Sequence, residues 1–256
     1  MNVVNLSAKV KMRWRREMGE WLGRRPVHIS PPYPLVSFTF DDFPRSALSI
    51  AGAVLESYAV SGTYYVSLGL MGKTTPTGEI CHSEDVVQVV ERGHELGCHT
   101  FDHFHAWETK PGDFEESILR NCDALASVVP GALCRTLAYP ISSPRPANKR
   151  IAARHFDCCR GGGQSFNSAQ SDLSNLRAFF LEQSRDKPNL IERMVDRNVE
   201  AGGWLIFVTH DVSENPTRFG CHTMLFERIV RYTAKSGATI LPVYRAWTAI
   251  RTGGGS

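Results

Sequence analysis

The chain has 256 residues, 42% of them hydrophobic and 21% charged, with a formal net charge of +3. That is enough apolar content for one large core, and too little charge, too scattered outside the first 25 residues, to argue for a nucleic-acid partner. Seven cysteines, an odd number with no Cys-x-x-Cys pair, read as reduced thiols rather than a disulfide framework, so an intracellular location is expected.

Residues 1–23 carry Lys9, Lys11, Arg13, Arg15 and Arg16 among Val10, Met12, Trp14, Met18, Trp21 and Leu22, without the uninterrupted apolar run that a secretion signal needs. A basic amphipathic helix of this kind either packs on its own domain or lies on an anionic membrane surface, and packing is the commoner fate. No segment approaches the ~20 apolar residues of a spanning helix, so a soluble, cytoplasmic protein is expected. Prolines at 26, 31, 32 and 34 make an extended entry that cannot continue a helix. The chain therefore divides into a basic arm and entry segment (1–33), one domain (34–251) and a flexible Gly/Ser tail (252–256).

The domain opens on Leu35-Val-Ser-Phe-Thr-Phe-Asp-Asp, an apolar strand running into two adjacent carboxylates. Burying such a pair costs several kcal/mol unless a cation compensates it. Helical spacing follows over residues 46–58, a β-rich run over 63–68, a helix from Ser83 to Gly93, and a strand over 95–99 that ends in histidine. The alternation continues with a helix from Asp113, where Glu116 completes a capping box, to about Val129, and a strand over 134–139. A helix over 148–155 and strands over 156–159 and 177–182 come next. A helix over 189–200, a strongly apolar strand over 204–209, a helix over 222–235 and a strand over 238–243 close the series. Seven or eight alternating β and α elements with no linker predict a single α/β barrel, possibly irregular. The Gly-rich fingerprint of a dinucleotide fold is missing after the first strand.

In such barrels chemistry collects at the carboxyl ends of strands. Here those ends carry Asp41 and Asp42, His99 with His103, Tyr139-Pro140, Arg160, and His210 with Asp211. His99-Thr-Phe-Asp-His103 puts two imidazoles on one face if the segment turns helically. With a carboxylate from another strand end they form the two-His-one-carboxylate set of catalytic metal sites. His105, two residues from His103, would point away and is left out.

Thr39-Phe-Asp-Asp42, His99-Thr-Phe-Asp-His103, Leu137-Ala-Tyr-Pro140 and Ile206-Phe-Val-Thr-His210 occur in the order and at roughly the spacing of the motifs of the polysaccharide deacetylases, the family 4 carbohydrate esterases that include the nodulation chitooligosaccharide deacetylases. The resemblance covers about residues 35–243. It implies a distorted (β/α)7 barrel and one divalent metal, usually zinc, cobalt or nickel. It also implies that Asp41 is the general base, that Asp42, His99 and His103 hold the metal, and that His210 is the general acid. One departure stands out: Ala138-Tyr139-Pro140-Ile141 replaces the family's Arg-x-Pro-Tyr, so the arginine that orients the base is missing there. Arg160, at the next strand end, is the expected substitute, and Ile141 keeps a backbone N–H for an oxyanion. Tyr139, Pro140, Ile141 and Arg160 are accordingly expected on the substrate side, with Phe101 and Trp107 able either to stack on a sugar or to cover the core.

The expected activity is metal-dependent removal of acetyl from an N-acetylated amino-sugar glycan. Two other readings stay open. One is an amidohydrolase or O-deacetylase acting on another small amide or ester; the other is a silent carbohydrate-binding relative.

Overall fold

Leu35–Phe40 forms strand β1, buried at all six positions. Near-continuous burial is what a parallel strand covered on both faces requires. The main sheet continues with β2 (Thr63–Val66), β3 (Glu95–Cys98), β4 (Thr136–Ala138), β5 (Cys158–Arg160), β6 (Phe179–Phe180), β7 (Trp204–Thr209) and β8 (Thr239–Ile240). The computed structural model describes residues 14–15, 17–141 and 143–253.

The strands pair in parallel in the order β6-β7-β1-β2-β3-β4-β5. The short β8 lies on β1, whose one edge is shared: Leu35 and Val36 face Thr239 and Ile240, while Thr39 and Phe40 face Thr63 and Tyr64. The residues leading into β6 bond to β5, with Leu176 N donating to Cys159 O at 2.8 Å and Gly161 N to Leu176 O at 2.9 Å. Phe179–Phe180 then bond to β7. One short segment therefore closes the ring, and the fold is the irregular (β/α)7 barrel expected from the sequence.

Around it lie α1 (Ala53–Ser57), α2 (Ser83–Glu91), α3 (Pro111–Val128), α4 (Pro146–His155), α5 (Pro188–Glu200), α6 (Thr223–Lys235) and α7 (Val243–Gly253). A π-helical stretch, Ala47–Gly52, leads into α1, and its Ala47 carbonyl accepts a hydrogen bond from the Tyr64 hydroxyl. Proline opens α3, α4 and α5, where its fixed φ and missing N–H cost nothing. Pro111 rather than the Asp113/Glu116 pair thus starts α3, which corrects the expected capping box.

Helix α7 was not legible as such. The strand expected over 238–243 shrinks to two residues, and Pro242 leads into a helix that buries Val243, Ala246, Trp247 and Ile250. Gly253 ends that helix, so the expected tail is ordered up to it, and 254–256 lie outside the described residues.

The entry segment is also structured. Pro26–Ile29 pairs antiparallel with Ala169–Asp172, and Ile29 is buried with Leu35 and Trp204. This added ribbon is clamped by a buried ion pair in which Lys149 Nζ donates to Asp172 Oδ2 at 2.7 Å and to Gly19 O at 2.6 Å. Asp172 Oδ1 accepts from the backbone N–H groups of Arg25 and Ser174. Lys149→Met should cost about 3–5 kcal/mol in urea unfolding, because it strands a buried carboxylate rather than deleting a pair. A loss below about 1 kcal/mol would mean that water replaces the ammonium.

Candidate metal and catalytic site

The barrel mouth is lined by strand ends whose backbone turns sharply. Asp42 (φ 61°), Phe43 (φ 57°), Thr100 (φ 59°), His103 (φ 53°) and Ile141 (φ 55°) all adopt left-handed conformations. Each costs of order 1–3 kcal/mol in a non-glycine residue, and such strain persists where surrounding structure over-determines it. Asp41, just before this turn, is anchored by its N–H to Thr209 O on β7 at 3.0 Å.

Asp42 Oδ1 lies 3.0 Å from His103 Nε2 and 3.5 Å from His99 Nε2, yet this buried oxygen accepts no hydrogen bond. Three ligand atoms thus converge within 4.8 Å of one another. Two of the three, His99 and Asp42, are also oriented from behind. His99 Nδ1–H donates to Ala138 O at 2.8 Å, which leaves the Nε2 lone pair facing Asp42, and Asp42 Oδ2 accepts from Thr77 Oγ1 at 3.0 Å. The segment between the histidines is not helical, contrary to the spacing argument. The imidazoles converge because the chain doubles back through left-handed Thr100 and His103. It is held there by Ser117 Oγ, which accepts from Phe101 N and Asp102 N and donates to Asp102 Oδ2.

The charges suit a cation. Burial pushes the Asp42 carboxyl up, but His103 and His99 outweigh it and hold the group well below the usual carboxylate range. Burial pulls His99 down to about 4 against the opposing pull of Asp41, so this imidazole is neutral at pH 7. For His103 burial also acts downward, but Asp42 overcomes it and raises the pKa.

Asp41 stands beside this set and belongs to a different pair. Its Oδ1 accepts from an Arg160 terminal nitrogen, and both side chains are buried. Burial raises the Asp41 pKa, but Arg160, then His99 and His210, lower it further, so the group stays ionised. The guanidinium lies 5.2 Å from the centre of the Tyr65 ring and 5.9 Å from that of Phe180. Gly97 is what lets Tyr65 lie there: a Cβ at this position would fall 2.4 Å from Tyr65 Cε1.

His210 follows β7 and donates from Nδ1 to Phe219 O at 3.2 Å, with its ring centre 5.5 Å from that of Phe219. Asp211 does not reach it; its carboxylate accepts from Thr217 N and Oγ1 at 2.7 and 2.5 Å. Pro140 is buried and its carbonyl accepts from Ala106 N at 3.3 Å, while Ile141 is exposed at the rim.

Tyr139 corrects the sequence reading. Its side chain is 1% exposed, packs with Phe114 and Ile151, and donates to Ser174 O at 3.0 Å, so it serves the core and cannot touch substrate. Phe101 and Trp107 are likewise engaged, by Arg120 on one and by Trp14 and Arg15 on the other. His105 accepts from Trp107 N through Nδ1 and stays out of the ligand set.

Glu182, two residues past β6 in a short 3-10 turn, was missed. Burial pushes its pKa up to about 7, Asp41 adds to that, and its buried Oε2 has no hydrogen-bond partner. The signal was available: it ends the strand expected over 177–182, in the same position relative to its strand as the other site groups.

The polysaccharide deacetylase family profile matches residues 28–156. No curated protein sequence matches the chain. Among solved structures, the chain is similar to a T48 deacetylase with substrate, with a TM-score of 0.59 and 18% identity over 84% of this chain and 92% of that one. A family 4 acetyl xylan esterase from Clostridium thermocellum in complex with cobalt gives 0.55 and 19% over 84% and 90%. BA3943, a CE4 family pseudoenzyme from Bacillus anthracis, gives 0.61 and 11% over 86% and 68%. At these identities the likeness to the solved structures is one of fold.

Proposed function

Because the chain belongs to the polysaccharide deacetylase family, we propose that it is a metal-dependent hydrolase that removes acetyl groups from N-acetylated amino sugars in an oligo- or polysaccharide. The observation that carries this reading is the separation of two carboxylates at one strand end: Asp42 converges with His99 and His103, while Asp41 is held apart by Arg160.

The orphaned Asp42 Oδ1 and the oriented Nε2 atoms fit a divalent ion, with zinc first and cobalt or nickel as alternatives. Held by Asp42, His99 and His103, such an ion would polarise the acetyl carbonyl and lower the pKa of water toward ~7. Asp41 then takes the proton of the attacking water. Arg160 keeps Asp41 ionised and aimed without competing for that proton, since a guanidinium does not deprotonate. In this reading the backbone N–H of Ile141 donates to the developing oxyanion. His210 supplies the proton that an amine leaving group needs, because an amine anion does not depart near neutral pH.

Acetate release from chitooligosaccharides by the metal-loaded protein tests the reading, with acetylated xylan alongside. Release from xylan alone would make the protein an ester-cleaving relative, and release from neither would leave a silent binder.

His103→Ala should weaken metal affinity by at least about tenfold, since loss of a ligand should do no less than loss of the groups behind one. Unchanged metal content after dialysis would remove the triad. Metal binding also requires neutral imidazoles, and Asp42 raises the His103 pKa in the metal-free protein. Affinity should therefore fall as pH falls through the His103 pKa; a pH-independent titration would show that no proton is displaced there.

A further inference from the structure

Ten large hydrophobic side chains are exposed among the described residues, and five of them, Trp14, Trp21, Leu22, Phe104 and Ile141, belong to three segments that meet beside the loop after His103. The rim is built from three segments joined to one another. Ala106 N donates to Pro140 O at 3.3 Å and Arg145 N to Ala106 O at 3.4 Å, which ties the loop after His103 to the loop carrying Ile141. The N-terminal arm completes it: Arg15 pairs with Glu108 at 3.0 Å, Trp14 meets Trp107 edge-on at 5.8 Å, and Gly19 lies against Pro144 O.

The arm is helical over the described residues from Trp14 to Trp21, and it packs with the face that amphipathicity would not choose. Arg15 and Gly19 turn toward the barrel, with Gly19 O accepting from buried Lys149. Trp14, Met18 and Trp21, spaced at i, i+4 and i+7, form the adjoining stripe, and Trp14 and Trp21 remain 54% and 71% exposed. A stripe facing solvent next to two exposed apolar loop residues calls for an occupant.

Charge says which. The first 25 residues hold seven basic residues against only Glu17 and Glu20; Arg15 is paired with Glu108 and Arg25 is bound to Ser174 and to the Phe156 and Leu173 carbonyls, so Lys9, Lys11, Arg13, Arg16 and Arg24 carry the arm's excess charge. The whole chain carries +3, so everything after the arm is net negative. Basic residues concentrated beside exposed tryptophans match a surface that is anionic outside and apolar just beneath. We propose that this surface docks on an anionic phospholipid bilayer, with the described helix of Trp14 to Trp21 lying in the headgroup plane. The docking is independent of the hydrolase reading, because it uses no residue assigned to the reaction's proton transfers or to the metal.

The test is sedimentation of the full chain with phosphatidylglycerol-containing vesicles and with neutral phosphatidylcholine vesicles, at low and high salt. Binding should favour the anionic vesicles by at least about tenfold, weaken with salt, and shift tryptophan emission to the blue. Trp21→Ser with Leu22→Ser should lower vesicle binding by about tenfold or more at unchanged thermal stability. The triple variant K9E, K11E, R13E should do the same through charge. Equal binding to both vesicle types, no binding, or undiminished binding of both variants would overturn the proposal. So would self-association in sedimentation velocity that the Trp21→Ser, Leu22→Ser variant abolishes, since a second copy would then be the occupant.

Discussion

Asp41→Asn is expected to keep its metal and lose at least about 10²-fold in kcat, the scale on which a positioned general base contributes. The substitution preserves shape and removes the proton acceptor. Because Asp41 touches Arg160 rather than the converging triad, the ligand set should survive. What changes besides chemistry is that a buried guanidinium loses its counter-charge, so some stability should go as well. The companion variant Arg160→Met separates the two effects. It should also damage kcat, by leaving Asp41 buried without the cation that lowers its pKa, and its activity should recover partly as pH rises. The sign follows from linkage: without Arg160 burial dominates and raises the Asp41 pKa, so the base ionises only at higher pH. Metal loss from Asp41→Asn would mean that the roles of Asp41 and Asp42 are exchanged.

His210→Ala is expected to harm cleavage of an acetamide by 10²-fold or more, while an activated aryl acetate, whose leaving group needs no proton, loses far less. His210 follows β7, the strand that hydrogen-bonds both β6 and β1, and its Nδ1 is occupied by Phe219 O. That bond leaves Nε2 to work on the substrate side. Equal losses on both substrates would make His210 a positioning or binding group. Metal content should not change in either case.

Much of this was readable in the chain because the signals were local. The apolar run of β1 and β7, the helical periods between them, and acidic or imidazole residues just past strand ends are all short-range patterns. They led to Asp41, Asp42, His99, His103, Arg160 and His210. The failures were of two kinds. Where backbone conformation decided the outcome, periodicity misled: the spacing of His99 and His103 looked helical, but left-handed turns bring the rings together. Where tertiary packing decided it, residue type misled: Tyr139 lies in a motif and still turns its ring into the core, while Glu182 looked like strand and emerged at the mouth. Helix α7 escaped for a related reason, since its apolar stripe begins at Val243, which ends the strand expected over 238–243.

The shared edge of β1 has a consequence for how the chain reaches this state. Leu35 pairs with Trp204 and Thr239, so this strand, whose Thr39–Phe40 end alone meets the neighbouring β2, waits for β7 and β8, far along the chain, to complete its pairing. Until then its backbone donors and acceptors form an open edge, and Asp41 and Asp42 have no compensating charge, because Arg160, His99 and His103 also come later. Folding dominated by such non-local closure is slow, and an unpaired apolar strand can pair with the wrong neighbour. Soluble yield should therefore be limited by the half-made chain rather than by the finished barrel. Slowing synthesis or supplying a chaperone that shields residues 35–40 should raise it, where added stability in the native state would not.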